Sequence, residues 1–441
     1  MKIQLSEHFT YKKLLRFTFP SVVMMLFTSI YCVVDGIFVS NSAGTTAFAA
    51  VNLIMPYIMA FGAFGIMIGT GGTALVSMTL GTGDRDRANK IFSQLIFFAL
   101  IAGGAMAVIG IVLLRPATIL MGAEGEMIDL CVSYGLLTLP AMPALLLQNV
   151  FQSLCVAAEK PNLGLGLTVA AGVTNIILDA LLVPRWGITG AAIATAMSQC
   201  VGGMVPLIYF GRPNSSLLRL IKAKLEAKVL GRTCTNGSSE LMSNLSLSLV
   251  GILYNIQLMA YAGEDGVAAY GVIMYVNFIF VAIFLGYAFG VAPVIGYHYG
   301  AQNHEELKNL LRKSLVILGV LSVTLTLLAE LLASLMAGIF VGYDATLYEM
   351  TRKAFMICSL GFLLCGFSIF GSSLFTALNN GLVSAAISFI RTLVCQVVAV
   401  LIMPLLLGLD GIWLSTVVAE LASVAMTIFC IIKFRKRYHY V

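Results

Sequence analysis

The chain has 441 residues, of which 59% are apolar and only 10% are charged. Soluble domains carry about 25% charged residues, so these proportions exclude a soluble protein and predict an integral membrane protein along the whole chain. The net charge of +6 would suit a nucleic-acid partner. The positions of the basic residues, described below, argue against that partner.

Twelve apolar stretches reach the ~20 residues that a helix needs to cross a bilayer. Their approximate limits are 14–38, 48–80, 91–114, 131–158, 162–184, 187–210, 241–262, 269–299, 314–337, 351–378, 382–406 and 411–432. We therefore predict an all-α membrane protein with twelve transmembrane helices. No secretory signal pattern precedes the first stretch, so we expect no cleaved leader.

Lysine and arginine predict the orientation of these helices. If the N-terminus lies inside, 21 basic residues fall in inside segments and four, Arg115, Arg185, Arg352 and Lys353, fall in outside segments. Cytoplasmic loops of membrane proteins carry such an excess of Lys and Arg. We expect both termini to be cytoplasmic, and the basic charge then reports topology rather than binding to nucleic acid.

The longest polar segment, residues 211–240, divides an N-terminal six-helix bundle (1–210) from a C-terminal six-helix bundle (241–441). Within it, the sequence LLRLIKAKLEAKVL (217–230) spaces leucine, isoleucine and valine on one helical face and lysines toward the other. This pattern is typical of a helix lying at a membrane surface. We therefore predict an interfacial helix on the cytoplasmic face of the linker.

The two bundles resemble each other in sequence. Shifting residues 43–81 by 219 positions gives ten identities, which include Ile54–Met55 with Ile273–Met274 and Gly81 with Gly300. Ordered identities at a fixed offset indicate an internal repeat. Because six spans is an even number, both halves begin on the same side and form parallel repeats. Transporters built this way place their binding site between the two bundles.

Two acids lie within apolar spans of the first half, Asp35 in the first span and Asp179 in the fifth. Each lies about five residues before the outer end of its span, and Asn175 lies one turn before Asp179. Asn52 and Thr195 fall near the same depth. Buried acids in membrane spans are costly and mark ion or proton sites. The alternatives are that Asp35 lies at the membrane edge in water, and that these polar groups are separate helix contacts.

Carboxylates, an amide and a hydroxyl at one depth form a cluster of hard oxygen ligands. Such a cluster suits a proton or a small hard cation such as Na⁺. Two nearby acids in a low dielectric cannot both ionise at low cost. We expect Asp35 and Asp179 to exchange a proton or bind Na⁺.

The second half has a different polar set, in which Tyr254 occupies the repeat position of Asp35. Arg391 and Glu420 both fall near mid-depth, so we predict a neutralising ion pair, with a direct contact of Glu420 to substrate as the alternative. We assign to a substrate cavity between the halves Tyr254, Glu420, Arg391, Met55 and Met59. Flexible methionine side chains suit a site that accepts many ligands.

No motif indicates a catalytic centre. The nine cysteines are scattered and form no CxxC pair, and the sequence contains no HExxH or phosphate-loop pattern. We therefore predict that the protein is not an enzyme and that it has no structural metal site and no disulfide framework.

Several motifs, taken in order, resemble the multidrug and toxic compound extrusion (MATE) family. They are VVDGIFVS in the first span, LGTGDRDRANK after the second, AAEKPNLGL after the fourth, NIILDALLV in the fifth and GITGAAIAT opening the sixth. The chain looks closest to the bacterial branch that keeps its carboxylates in the N-terminal half. In that branch the cation site matches Asp35, Asp179, Asn175 and Thr195. Other branches carry an acid in the body of the seventh span, which lacks one here between 241 and 262.

The resemblance implies a MATE-like fold and a secondary active antiporter. It would export amphipathic, often cationic, drugs or toxic compounds across the plasma membrane by alternating access, driven by protons or sodium ions. We expect no cofactor besides that coupling ion, no partner other than lipid and small molecules, and a monomer. The alternative function is a flippase for a lipid-linked saccharide, a relative in the same superfamily.

Overall fold

A computed structural model describes residues 3–42, 45–342 and 344–440, and these residues are almost entirely helical. Ala43–Gly44, part of the repeat match, lies outside the described residues. The α-helices are, in chain order, α1 Tyr11–Ser42, α2 Thr45–Gly81, α3 Arg85–Leu120, α4 Glu126–Thr138, α5 Met142–Ala157, α6 Pro161–Trp186, α7 Ile188–Gly211, α8 Ala227–Gly300, α9 His304–Val341, α10 Ala345–Ser359, α11 Phe362–Ala377, α12 Gly381–Phe389, α13 Gln396–Leu407 and α14 Leu409–Tyr438.

The predicted twelve spans are confirmed. In the described part of the chain, ten helices are long and apolar enough to cross a membrane, or eleven when the bent pair α10 and α11 counts as one span. One of them, α8, has 74 residues and would be about 110 Å long if straight, several times the hydrocarbon thickness. The backbone of Gly263, at φ 62°, breaks α8 into the seventh and eighth spans. With α8 counted as two spans and the pair α10 and α11 as one, the described part of the chain has twelve spans.

Three of the predicted spans are not continuous α-helices. The fourth consists of α4, a 3₁₀ turn at Leu139–Ala141 and α5. Pro140 falls in that turn, where the missing N–H of proline interrupts the helical hydrogen bonds. The tenth bends by 45° between α10 and α11. The eleventh contains a π-helical turn, Ile390–Cys395, between α12 and α13.

The prediction of an interfacial helix over 217–230 is wrong. Residues 212–226 have no helix, and α8 begins at Ala227. Polar side chains of α3 bind the backbone of this segment instead: the N–H of Arg219 donates to Asn89 Oδ1 (2.9 Å) and that of Ile221 to Ser93 Oγ (2.8 Å). These hydrogen bonds replace those of a helix, so apolar periodicity alone was misleading.

An ion pair closes the same segment onto α3. Arg87 donates from Nη1 and Nη2 to the two carboxylate oxygens of Glu226, at 2.6 and 2.7 Å. These hydrogen bonds hold the pKa of the Glu226 carboxyl below its ordinary value. The early start of α8 also moves Glu240 from the predicted linker into the seventh span.

Each half has its own hydrophobic core, and the first residues of the chain cross between the halves. Leu5 and Phe9 are fully buried and pack into the core of the second half. The N–H of Leu5 donates to Glu159 of the first half (2.8 Å), and that of Phe9 donates to Glu306 of the second (2.9 Å). Residues 5–9 therefore tie the two bundles together.

Residues 5–9 lie at the end of the bundle where the chain begins and finishes. We call this end of the bundle the basic end; it also holds the loops 82–84, 158–160, 212–226, 301–303 and 378–380. The halves also meet there through backbone contacts at glycine. A side chain on Gly81 would collide with the carbonyl of Tyr297, and one on Gly300 with the carbonyl of Met78. Both pairs are related by the 219-residue offset. The predicted repeat therefore extends to a symmetric contact that closes the basic end.

We expect Gly300→Ala to open the basic end. The added methyl group must displace α2 or α8, and overpacking of this kind costs about 1–3 kcal/mol, or roughly ten-fold in the ratio of closed to open molecules. The distance between spin labels at the exposed positions 90 and 308, in a background without native cysteines, measures that ratio.

Gly104→Ala in α3 is the matched control, because nothing lies within 4 Å of a methyl group there. It gains the same helix propensity without the collision. Equal distance distributions for the two variants would contradict the importance of this contact.

Candidate functional site

Helix packing brings the two acids of the first half together. Helices α1 and α6 start at the same end, and a side chain on Gly172 of α6 would contact Phe27 and Tyr31 of α1. Continuing this register by about two turns places Asp35 opposite Asp179. The two carboxyl groups are close enough to interact electrostatically. Asp35 is 8% exposed and Asp179 is fully buried, so Asp35 is not a wet residue at the edge.

Three of the four carboxylate oxygens of this pair receive no hydrogen bond from the described residues around them. Asn175, one turn before Asp179, is 2% exposed. Thr195 lies as far from the start of α7 as Asp179 does from the end of α6, so the two share a depth. Five oxygen atoms have no hydrogen-bond partner among the described residues. They are both carboxylate oxygens of Asp179, one of Asp35, the amide oxygen of Asn175 and the hydroxyl of Thr195.

The four unpartnered oxygen atoms of Asp35, Asp179 and Asn175 make a strongly electronegative site, and Thr195 shares its depth. Each unsatisfied buried polar group costs about 1–3 kcal/mol, and a carboxylate costs more. A proton, a cation or a water molecule would satisfy them, whereas an anion would be repelled. The geometry therefore fits the predicted ion or proton site within one half of the molecule.

The structure does not bring Asn52 into this set. Asn52 is exposed on α2, and its amide donates to the carbonyl of Phe48 in the same helix (2.9 Å). Equal depth was the reason for including it, but depth says nothing about the face of the helix.

Two buried glutamines on neighbouring helices of the same half were not predicted. Gln199 lies one turn after Thr195 on α7, and its enclosed amide oxygen has no partner among the described residues. The amide oxygen of Gln148 in α5 also has no partner among the described residues. The Gln148 side chain packs against Gly202 of α7 and lies 2.6 Å from the position that a Cβ atom of residue 202 would occupy. The four-residue spacing of Thr195 and Gln199 was the signal that could have revealed Gln199.

In the second half, the predicted ion pair is confirmed. Arg391 donates from Nε and Nη2 to the carboxylate of Glu420 at 2.9–3.1 Å, and their side chains are 17% and 6% exposed. Arg391 lies in the π-helical turn, a local widening of the helix that frequently marks functional sites. The charges of Arg391 and Glu420 therefore neutralise each other.

Tyr254, the repeat partner of Asp35, lies inside the second half and is 3% exposed. Its hydroxyl is within hydrogen-bond distance of Gln396 (3.0 Å), Thr416 (3.1 Å) and Ser415 (3.4 Å), and its ring stacks on Tyr270. This phenol is fully satisfied, in contrast to the unsatisfied carboxylate at the related position. The structure thus places Tyr254 in a packed interior rather than on an open surface.

The methionines assigned to the cavity reach the surface of α2. Met59 is 53% exposed, and Met55, one turn earlier, is half-buried against the core of the first half. Their place in a substrate cavity stays a prediction.

We expect Glu420→Gln alone to destabilise the protein more than the double variant Glu420→Gln with Arg391→Met. The single change leaves a buried guanidinium without its partner, and breaking a buried pair costs about 3–5 kcal/mol. Thermal unfolding in detergent, compared across both single variants and the double variant, measures the coupling. Additive losses would show that the two residues do not depend on each other.

The fold and the sequence both match known proteins. A model of the MatE family matches residues 20–181 and 241–402, one segment in each half. The multidrug export protein MepA of Staphylococcus haemolyticus (strain JCSC1435) is 23% identical over 435 residues, covering 98% of this chain and 95% of MepA. MepA of Staphylococcus aureus (strain MRSA252) is 23% identical over 431 residues, covering 96% and 94%.

Solved structures share the fold of this chain. An outward-facing multidrug resistance MATE family transporter of the MOP superfamily superimposes with a TM-score of 0.92 at 23% identity, over 99% of both chains. A MOP superfamily transporter from Pyrococcus furiosus gives 0.90 at 23% identity, over 98% of this chain and 96% of its own. Because the family model covers most of both halves, the chain belongs to the MatE family.

Proposed function

We propose that this protein is a secondary active antiporter that exports amphipathic, often cationic, drugs or toxic organic compounds in exchange for protons or sodium ions. The observation that carries the proposal is the buried pair Asp35–Asp179, three of whose four carboxylate oxygens have no hydrogen-bond partner among the described residues. The relatives named multidrug export proteins support the class of substrate.

The coupling step follows from the charge of this pair. Without a bound cation or proton, two facing carboxylates in a low dielectric repel each other and are poorly solvated. Loading the pair from outside removes this penalty and shifts the balance between outward-open and inward-open states. Only a difference in ion affinity between the two states can produce that shift.

The substrate cavity in this proposal lies between the halves and opens at the end opposite the basic end. Closure at the basic end, through the glycine contacts and residues 5–9, supports an outward-open assignment for this structure. The flippase alternative would require a cationic cavity, but Arg391 is neutralised by Glu420. We further propose that the protein acts as a monomer in the plasma membrane.

The basic end should face the cytoplasm. Lys224 is exposed at this end, and Glu124 is exposed in the loop at the opposite end. In a background without native cysteines, an impermeant thiol reagent applied to intact cells should label Glu124→Cys and leave Lys224→Cys unlabelled until the cells are opened. Labelling of position 224 in intact cells would reverse the topology.

Asp35→Asn should abolish gradient-driven export because the pair can no longer exchange its cation. Asp179→Asn should do the same, and the double variant should be little worse than either single variant, since both residues act in one step. Efflux of a fluorescent organic cation from vesicles, first under a proton gradient and then under a sodium gradient, measures this and identifies the ion.

Asp86→Asn, an exposed change in α3, is the matched control and should export normally. Size-exclusion profiles establish that each variant is folded. Uphill export by Asp35→Asn at the wild-type rate would contradict the proposed role of the pair. Lipid scrambling without dye efflux would favour the flippase instead.

A further inference from the structure

A second polar cavity lies between the two halves near the basic end. Its volume is about 20 Å³. The first half contributes the hydroxyl groups of Thr70, Thr73 and Ser153, from α2 and α5. The second half contributes Glu240 of α8 and Ser373 and Thr376 of α11. Neither half alone forms this cavity.

Glu240 is the charged residue of this cavity, and its carboxylate has no hydrogen-bond partner among the described side chains. Asn244 binds only its backbone carbonyl (2.8 Å). Arg391 is close enough to interact electrostatically, but its guanidinium is engaged by Glu420. One cation therefore faces two carboxylates in this region, which leaves one negative charge without a partner.

The hydroxyl groups around Glu240 do not supply the missing donors. Thr70 donates its proton to the carbonyl of Ile66 (2.9 Å), and Ser373 donates to the carbonyl of Ala288 (3.3 Å). Both therefore present oxygen lone pairs to the cavity. The hydroxyl of Thr73, which is 4% exposed, has no partner among the described residues. Glu240 is only partly exposed to water, and a carboxylate beside such acceptors is unfavourable unless a cation or a proton balances its charge.

Size and charge select the ligand. A cavity needs about 10–15 Å³ to hold one water-sized ligand, so this one admits a single small ion and excludes an organic amine. One carboxylate with neutral hydroxyl oxygens balances a single positive charge, and hard oxygen ligands suit alkali rather than transition metal ions.

We propose that Glu240 and the surrounding hydroxyl groups bind a sodium ion between the two halves. This site is separate from Asp35–Asp179. By the repeat offset, Glu240 corresponds to Ser21, which lies about 20 Å along α1 from Asp35. Because both halves supply ligands, separating them at the basic end destroys the site. Sodium binding therefore stabilises the state closed at that end.

The test measures closure by the distance between spin labels at positions 90 and 308, without any gradient. Sodium chloride replaces N-methylglucamine chloride at constant ionic strength. The background carries Asp35→Asn and Asp179→Asn, so that sodium cannot act through the first pair. We expect sodium to increase the closed population in a saturable manner, and Glu240→Gln to abolish this response.

Two further variants make the result specific. Thr70→Val keeps the shape of the side chain but removes one ligand oxygen, and it should raise the sodium concentration for half-maximal closure roughly ten-fold. Glu305→Gln, an exposed change at the same end, should respond like the background. Thr70→Val keeps Glu240 in place, so it tests the site even if Glu240→Gln does not fold.

Three outcomes would overturn the proposal. Sodium has no effect in the background that lacks the acid pair, or the response survives Glu240→Gln, or acidification alone closes the basic end and sodium adds nothing. In the last case the site binds a proton. None of these outcomes depends on uphill export, so this proposal and the antiport proposal can fail independently.

Discussion

Backbone-to-backbone contact between the halves at the basic end is the constraint on which the rest of the structure depends. Gly81 and Gly300 let α2 and α8 approach until carbonyl groups of one helix meet Cα atoms of the other. Gly71 and Gly290, also identical in the two repeats, repeat the arrangement: Gly71 meets the backbone of Gly237, and Gly290 meets Thr18. Small residues are the usual means of close packing between membrane helices, since lipid supplies no hydrophobic force between them.

That contact explains where the other inter-half features lie. The cavity around Glu240 forms because α2 and α11 approach α8 from different halves. Asn379, in the loop after α11, donates to the carbonyl of Ala74 in α2 (3.2 Å), and Ala74 lines the cavity. Residues 5–9 then cross over the closed end and bind acids of both halves. Each of these interactions requires the halves to be together, so they are made and lost as one unit.

Charge is distributed unequally between two halves of similar fold. The first half buries Asp35 and Asp179 in its spans, and neither forms a salt bridge among the described residues, whereas the second half pairs its buried Arg391 with Glu420. Tyr254 shows the consequence at one repeat position, since a satisfied phenol replaces the carboxylate of Asp35. The fold tolerates both solutions, so the buried charge depends on particular residues and not on the architecture.

The sequence was sufficient for the spans, the repeat, the acid pair and the Arg391–Glu420 pair, because each follows from the cost of polar groups in a bilayer. It failed where side chains compete with backbone hydrogen bonds. Asn89 and Ser93 bind the backbone of the linker and prevent a helix that its apolar pattern favours. Glu240 was missed because the apolar run begins at 241, whereas α8 begins earlier, at Ala227. The polar turn of α8 that contains Glu240 faces the cavity between the halves instead of lipid.

Alternating access needs a ligand that distinguishes the two states, and the two proposed ion sites would do so differently. The acid pair lies within one half, on α1 and α6, so a rigid rotation of the halves leaves its geometry unchanged. It can sense the state only if α1, which contains Pro20, bends, or if water reaches it from the cleft. A site at Glu240 senses the rotation directly, because its ligands move apart with the halves. Sodium bound at Glu240 would set the balance between outward-open and inward-open molecules at rest. Ion exchange at Asp35 and Asp179 would then shift that balance during transport.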